Sequence, residues 1–456
     1  MFFKHFKKVC LIVMAVFTIS TPLAVTANNH KTNIKTQKVS KNLSKQDKNS
    51  QQLDQQTNHL IKNNLPLNLQ AKSALAVDAK TGQILYAKNA DQALPTASMS
   101  KLLSIYVTLQ AIQAHKINWD TKVKITPALH ALSVNPEYAN VELKAGHEYT
   151  IKQLYQAAIY SENAGAMAMG YGVAGSTQKF ALKMRQAVKD LGINDAQIYT
   201  ACGLTNGEVG SLGFKDVDDN AENKLSATDM AIISMNILKT YPHILKDTAA
   251  NTTKFENNTM LNWNWMIKGR SEALPDIKVD GLKTGTSDTA GACFTGTAVK
   301  NNHRVITVVM GVHHSGQYDP SRFVETQKLL KYVYAKYHHV NLAPNQSVSE
   351  MTEGRNDGNI YVPNGKNEHL SLSFADKQDI WLDNNQQFNL QKIQPLSNLK
   401  YKGGIDAPID KGEVVANAQV KGTKYITDSN VKLSASKDDD KANIFVRMWR
   451  SIMSLF

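Results

Sequence analysis

Three short segments of the sequence carry residue types that can perform acyl transfer. In "PTASMSKLLS" (95–104), Ser98 and Lys101 are three residues apart, so on a helix both side chains lie on one face within a single turn. A neutral lysine amine beside a serine hydroxyl can take its proton, provided that burial and nearby cations lower the lysine pKa. The dipole of a helix N-terminus would favour the same chemistry. Alone, this spacing more often marks the first turn of an ordinary amphipathic helix.

Two further segments change that interpretation. "YSENAG" (160–165) supplies Ser161 and Asn163 after an apolar helix, and "VDGLKTGTSD" (279–288) supplies the run Lys283, Thr284, Gly285 on a predicted edge strand. Separately, the first could end a helix and the second could form a turn. The order Ser-x-x-Lys, Ser-x-Asn, Lys-Thr-Gly is, however, a signature of enzymes that react with penicillin through a serine. Together the three segments therefore predict a serine nucleophile.

The elements that must position these residues can be predicted from apolar periodicity. Two apolar runs flank Lys80-Thr81-Gly82 and predict a hairpin. Apolar residues at three- and four-residue steps predict a helix from Ser98, and the middle of the chain continues mostly helical. Residues 278–312 read as antiparallel strands, and 319–337 return to helical spacing. Strands at both ends with helices between them predict an α/β (α+β) layer whose sheet joins both ends of a catalytic domain, 66–340.

The C-terminal part changes character. Short alternating runs separated by Asn, Gly and Pro predict a small β-sandwich over 345–435. Residues 441–456 form a basic amphipathic pattern in which Arg447 and Arg450 oppose an apolar face, typical of a helix lying in a bilayer interface. Docking of this helix on the protein itself is the alternative.

The N-terminus and the overall charge indicate where the protein works. Residues 1–27 combine three lysines, an apolar run and a small-residue cleavage site, which predicts a secretory signal peptide. Residues 28–65 are rich in Asn, Gln, Lys and Ser and predict a disordered spacer. The net charge is +13 for 456 residues, and +10 after removal of the signal. The expected location is the outer face of the cytoplasmic membrane. The positive charge points toward an anionic environment such as a wall polymer, and nucleic acid is not an expected partner.

Taken with their flanking residues, the three segments resemble the D-alanyl-D-alanine carboxypeptidases among the low-molecular-mass penicillin-binding proteins. The resemblance extends over about 66–337, and more loosely into the β domain at "APIDKGEVVA" (407–416). It implies a five-stranded antiparallel sheet between helices, a helical subdomain and a C-terminal amphipathic anchor. It also implies that the substrate is the peptidoglycan pentapeptide, that β-lactams are covalent inhibitors, and that no cofactor is needed.

The resemblance implies a role for each matched residue. Ser98 is the acylated nucleophile, Lys101 its base, and Ser161 a proton relay to the leaving amine. Asn163 binds the substrate amide and orients Lys101, and Lys283 assists Ser161.

The remaining matched residues are implied to bind substrate. Thr284, Thr286 and Arg322 contact the terminal carboxylate, and Gly285 lets the strand backbone approach the substrate closely. The backbone N–H groups of Ser98 and Thr286 form the oxyanion hole. Some family members have His at the position of Thr286. A surface charge on a helix is the alternative interpretation of Arg322.

Other side chains are weaker candidates for chemistry. Of the three cysteines, Cys10 lies in the predicted signal peptide. Cys202 and Cys293 are too few for a disulfide framework, and two separately buried thiols are expected, although one bridge is possible. Neither is expected to be a nucleophile. The His313-His314 pair alternates faces on a strand, so no metal site is predicted.

Alternative functions remain open. A class A β-lactamase requires a deacylating glutamate, for which Glu222 is the nearest candidate, but its segment better resembles the carboxypeptidases' own Ser-Ala-x-Asp, here Ser226, Ala227 and Asp229. A D,D-endopeptidase would use the same active-site residues. A catalytically silent wall-binding or β-lactam-sensing protein is the non-enzymatic alternative.

Overall fold

The computed structural model describes residues 30–316, 318–352, 358–427 and 429–453. The signal peptide predicted at 1–27 lies outside the described residues. The helices are α1 His30–Lys62, α2 Lys101–Gln113, α3 Pro127–Ser133, α4 Ile151–Ile159, α5 Asn163–Ala174, α6 Thr177–Asp190, α7 Ala227–Thr240, α8 Ile244–Thr248, α9 Ser321–Lys336 and α10 Ile444–Met453. The strands are β1 Ser73–Asp78, β2 Ile84–Lys88, β3 Leu94–Pro95, β4 Lys122–Lys124, β5 Glu148–Thr150, β6 Lys224–Leu225, β7 Thr252–Phe255, β8 Asn258–Leu261, β9 Lys278–Ser287, β10 Gly291–Lys300, β11 His303–Val312, β12 Tyr337–Leu342, β13 Asn359–Tyr361, β14 His369–Phe374, β15 Gln378–Asp383, β16 Leu390–Pro395, β17 Lys400–Tyr401, β18 Gly404–Ile405, β19 Val414–Val420 and β20 Val431–Ala435.

Five strands form an antiparallel sheet in the order β2–β1–β11–β10–β9. The first strand, β1, pairs with β11, so Ala76 faces Thr307 across more than two hundred residues of chain. The predicted α/β layer, with a sheet that joins both ends of the domain, is confirmed. Strand β9 is an edge strand of this sheet and carries the Lys-Thr-Gly segment. Its Lys283 is opposite Thr295 of β10. An edge strand leaves one side of its backbone free to pair with an extended ligand.

Both faces of this sheet are covered by apolar side chains, which holds it rigid. On one face, Phe294 of β10 packs with Phe323 of α9. On the other, Val308 of β11 belongs to a core shared with Leu102 of α2 and Met230 of α7. Burial of each such side chain contributes about 1.5–3 kcal/mol.

Reciprocal capping starts two of the helices in the subdomain next to the sheet. Thr150 and Gln153 form a capping box at α4, and Ser226 and Asp229 form one at α7. The Ser-Ala-x-Asp segment therefore serves to begin α7.

The C-terminal region is a β domain. Its five-stranded sheet has the order β13–β14–β20–β19–β16, and Ile380 and Leu382 of the β12–β15 pair belong to the same apolar core. The junction with the catalytic sheet is specific, because Trp381 donates from Nε1 to Asp78 (2.9 Å) and from its backbone to Gln83 (3.0 Å).

The disordered spacer predicted at 28–65 is not what the structure shows, since α1 occupies most of it. The Lys, Gln and Leu residues of this segment are good helix formers. From residue 46 onward the helix is also held by the domain. Gln46 donates to the carbonyl oxygens of Arg270 and Ser271, and Asp54 forms an ion pair with Lys331 at 2.8 Å. Polar docking contacts, which composition does not reveal, account for the difference.

The terminal helix α10 exposes apolar side chains: Phe445 is 79% exposed and Trp449 is 64% exposed. It is tethered on its basic side, where Arg450 donates to the carbonyl oxygen of Gly365 at 2.7 Å. The last three residues of the predicted segment lie outside the described part of the chain. Among the described residues, no helix has both the length and the apolar character needed to cross a membrane.

Candidate active site

The serine and lysine of the first segment are in direct contact. Ser98 lies in a 3-10 turn, Ala97–Ser100, and Lys101 begins α2, so the predicted helix starts with a tighter turn than expected. The Lys101 Nζ lies 2.7 Å from Ser98 Oγ, 2.7 Å from Asn163 Oδ1 and 2.8 Å from the carbonyl oxygen of Cys202. Lys101 is completely buried, and burial lowers its pKa to about 8.

These contacts determine how Lys101 can act. Asn163 Oδ1 and the Cys202 carbonyl can only accept, so each takes one N–H of the amine. When Nζ is neutral, its lone pair is left for the remaining neighbour, the Ser98 hydroxyl. Lys101 is therefore placed to remove the Ser98 proton.

The turn that carries Ser98 is held by close backbone packing. Ala97 has φ +44°, a left-handed conformation that costs energy for a residue with a Cβ. A Cβ on Gly203 would lie 1.9 Å from the Ala97 carbonyl oxygen, and a Cβ on Gly285 would lie 2.6 Å from the Thr96 carbonyl oxygen. Gly285 thus permits approach of β9 to the nucleophile turn.

The second segment joins α4 to α5. Ser161 has φ +81°, and its Oγ accepts a hydrogen bond from Lys283 Nζ at 2.9 Å. The side chain of Asn163 is fixed from behind, since its Nδ2 donates to the carbonyl oxygen of Ala139 at 3.1 Å. Between them lies Glu162, whose buried Oε2 has no hydrogen-bond partner within the described part of the chain. Burial raises the pKa of this carboxyl to about 7, although the charges of Lys101 and Lys283 lower it.

The third segment provides a second buried amine. Lys283 also donates to the carbonyl oxygen of Thr284 at 3.0 Å. Its pKa lies well below the usual value because of burial, and because the cations of Lys101 and Arg322 disfavour a further positive charge. With Lys283 donating to it, the Ser161 hydroxyl proton remains free to be given away.

Arg322 is buried, so the surface-charge interpretation is wrong. Its Nη1 donates to the carbonyl oxygens of Gly285 (2.7 Å) and Cys293 (3.2 Å), and its Nη2 donates to Thr286 Oγ1 (2.7 Å). The guanidinium therefore holds β9 in place and puts a positive charge directly behind the Thr286 hydroxyl.

The nine predicted residues meet at one cleft of about 540 Å³. Seven line it, and the two lysines lie behind Ser98 and Ser161: the lining residues are Ser98, Ser161, Asn163, Thr284, Gly285, Thr286 and Arg322. His314 also lines the cleft, and its buried Nδ1 has no hydrogen-bond partner in the described ranges. Glu222 lines the cleft too, where it accepts a hydrogen bond from Thr289 at 2.7 Å.

Cys202 and Cys293 are buried free thiols, so no bridge joins them. Burial raises the pKa of Cys202, and it raises the pKa of Cys293 to about 11, so neither ionises readily at neutral pH.

Sequence reasoning missed three contributors to the site. Glu162 lies between Ser161 and Asn163 in the second segment, and its raised pKa results from burial, which the sequence does not reveal. Asn223 supplies the carbonyl oxygen that accepts from the backbone N–H of Thr96 at 3.1 Å. Gly203, with φ +88°, packs against the nucleophile turn. Nothing in the local sequence places the last two residues beside Ser98.

Comparisons with known proteins place the chain in a family. A sequence model of the S11 peptidase family, D-alanyl-D-alanine carboxypeptidase, matches residues 54–314. The chain is 29% identical over 392 residues to the D-alanyl-D-alanine carboxypeptidase DacF of Bacillus subtilis (strain 168), covering 84% of this chain and 89% of the relative.

Solved structures show the same likeness. A peptidoglycan synthesis regulatory factor (PBP3) from Streptococcus pneumoniae superposes with a TM-score of 0.66 at 30% identity, covering 82% of this chain and all of that one. Penicillin-binding protein 5 from Haemophilus influenzae gives 0.62 at 25% identity, covering 82% and 99%. With the family model matching more than half of its length, the chain belongs to the S11 family of D-alanyl-D-alanine carboxypeptidases.

Proposed function

We propose that this protein is a serine D-Ala-D-Ala carboxypeptidase that removes the terminal D-alanine from peptidoglycan stem peptides through an acyl-enzyme on Ser98. The observation that carries the proposal is the 2.7 Å contact between Ser98 Oγ and the Nζ of a fully buried Lys101. Membership of the S11 family supports the same activity.

In the acylation step, neutral Lys101 takes the Ser98 proton as Oγ attacks the carbonyl carbon of the penultimate D-alanine. The backbone N–H groups of Ser98 and Thr286 would stabilise the oxyanion. As the C–N bond breaks, Ser161 gives its proton to the departing amine. The proton that Lys101 took from Ser98 then restores the Ser161 hydroxyl, which Lys283 holds at 2.9 Å, so Lys101 is neutral again.

In the deacylation step, a water molecule replaces the departed D-alanine. Lys101 takes one proton from this water, whose oxygen attacks the ester carbonyl, and Ser98 leaves with a proton returned from Lys101. A β-lactam would acylate Ser98 by the first step, and its opened ring would remain attached to the acyl group. It would therefore act as a covalent inhibitor.

The end of the cleft favours a free carboxylate as the group bound there. Thr284 and Thr286 line this end, and Arg322 puts a buried positive charge directly behind Thr286. A terminal D-alanine carries such a carboxylate, which fits carboxypeptidase activity. A D,D-endopeptidase would use the same active-site residues, so experiment has to separate the two activities.

The test is release of D-alanine from a synthetic stem pentapeptide by the wild type and by Ser98→Ala. We expect release by the wild type and none by the variant. Fluorescent penicillin labelling followed by intact mass measurement locates the adduct. Absence of both D-alanine release and a Ser98 adduct in the folded wild type would refute the proposal and favour a silent binding or sensing protein.

Two alternatives are separated in the same experiment. Faster cleavage of a D,D-crosslinked dimer than of the pentapeptide would indicate an endopeptidase. Rapid loss of the penicillin adduct would indicate a β-lactamase, and loss of that turnover in Glu222→Gln would identify its deacylating carboxyl.

We further propose that the protein acts on the outer face of the cytoplasmic membrane, exported by residues 1–27 and attached by α10. The exposed apolar residues of α10, including Phe445 and Trp449, support attachment to a lipid surface. Flotation with anionic phospholipid vesicles should carry the wild type, but not a Phe445→Ser/Trp449→Ser variant. Equal flotation of both would oppose the membrane role of α10.

A further inference from the structure

Three potential metal-ligating side chains meet at the junction between the catalytic sheet and the β domain. His303 begins β11, His339 lies on β12 and Asp379 lies on β15. One possible ligand atom from each lies within 4.8 Å of the others. None of the three lines the active-site cleft, so they form a separate cluster.

The fold brings these residues together from distant parts of the chain. In the β12–β15 pair His339 is opposite Trp381, so Asp379, two residues away, is its diagonal neighbour on the same face. His303 is held at the end of the β10–β11 hairpin, where its carbonyl oxygen accepts from the Tyr334 hydroxyl at 2.9 Å. The buried Trp381 ring packs against both imidazoles, with centroid distances of 5.7 and 3.9 Å.

The histidine in the middle of the cluster has an unused ring nitrogen. His339 Nδ1 lies 2.8 Å from Asp379 Oδ1, and its side chain is only 10% exposed. Its Nε2 is buried and has no hydrogen-bond partner among the residues that the structure describes. A buried polar atom that has no partner is unfavourable, because it has lost its hydrogen bonds to water. Histidines that bind metals usually have a carboxylate on one ring nitrogen and the metal on the other, so Nε2 is available as a ligand atom.

His303 stands next to that ring. The two imidazoles are nearly parallel, with centroids 3.1 Å apart and planes inclined by 15°. The β10–β11 hairpin and the β12–β15 pair thus bring their imidazoles into direct contact.

We propose that His303 and His339 bind a divalent ion of the Zn²⁺ type, that Asp379 fixes the His339 ring through Nδ1, and that water completes the coordination. Imidazole nitrogens are ligands that Zn²⁺ accepts. The bound ion links the β10–β11 hairpin to the β12–β15 pair.

The ion would stabilise the junction of the two domains without entering the acyl-transfer reaction. A ligand that binds only the folded chain raises its unfolding free energy by mass action. The expected readouts are therefore metal content and thermal stability, while D-alanine release at saturating substrate should be unaffected by the ion.

The experiment uses the protein purified without a histidine tag, stripped with EDTA and dialysed against Zn²⁺ or Co²⁺. We expect about one Zn²⁺ per chain and the visible bands of four-coordinate Co²⁺. His303→Gln and His339→Gln should lose both, and Asp379→Asn should bind about 10- to 100-fold more weakly. The matched control is His338→Gln, which changes the neighbouring exposed histidine of β12 and should bind like the wild type.

Thermal unfolding with and without Zn²⁺ gives a second readout. Zn²⁺ should raise the Tm of the wild type and of His338→Gln, and leave that of His339→Gln unchanged. Near-UV circular dichroism verifies that each variant is folded. The site is refuted if the wild type takes up no Zn²⁺, or if the folded His303→Gln and His339→Gln variants bind as much as the wild type.

Discussion

The protonation of Lys101 should control the rate at which Ser98 is acylated, and Glu162 should influence that protonation. With a pKa of about 8, Lys101 is neutral in about one tenth of molecules at pH 7 and in about nine tenths at pH 9. Because the neutral amine is the active form, the acylation rate constant should rise about tenfold between these two pH values.

Replacing Glu162 by Gln keeps the side-chain volume and removes a buried carboxyl. Ionised Glu162 raises the pKa of Lys101, so its loss should move the midpoint of the pH profile to lower pH. Since about one tenth of Lys101 is already neutral at pH 7, the gain in rate there cannot exceed about tenfold. At pH 9, where the amine is mostly neutral in both proteins, the two rates should converge.

The assay is stopped-flow acylation by a fluorescent penicillin, measured from mildly acidic to alkaline pH. Glu137→Gln is the matched control, because Glu137 is an exposed carboxyl at the rim of the same cleft. It should leave the midpoint in place. A midpoint that is unchanged or higher in folded Glu162→Gln would show that this carboxyl does not act on Lys101.

Three further substitutions test the geometry of the site. Lys101→Arg keeps a cation that cannot lose its proton, and should slow acylation by about 10²- to 10⁴-fold; a stopped-flow rate within tenfold of wild type would remove Lys101 as the base. Gly203→Ala places a Cβ 1.9 Å from the Ala97 carbonyl oxygen, so we expect slower acylation and a loss of about 1–3 kcal/mol in denaturant unfolding, and wild-type values for both would contradict this packing. Arg322→Lys loses the planar fork that holds Thr286, and should raise KM for the pentapeptide more than it lowers kcat; a fall in kcat alone would argue against a role in binding the carboxylate.

The main features of the catalytic domain could be predicted because they depend on short-range pattern. Apolar periodicity indicated the hairpin at Lys80–Gly82, the helix after Ser98 and the strands around 278–312. The spacer was mispredicted because composition measures apolar content alone. It does not register helix propensity or polar docking contacts such as the ion pair between Asp54 and Lys331.

The sequence alone determined which residues could form the reaction centre, since residue type and local spacing are enough to recognise three segments that occur together. How these residues are arranged into a site, and which of them can exchange a proton, was decided by the tertiary structure. The contacts of Lys101 with Asn163 and Cys202 join segments far apart in the chain, and complete burial, which lowers the pKa of Lys101, is a property of the packed fold. The buried state of Glu162 and the meeting of His303 with His339 arise for the same physical reason. Solvation and through-space distance are set by long-range packing, which local sequence does not encode.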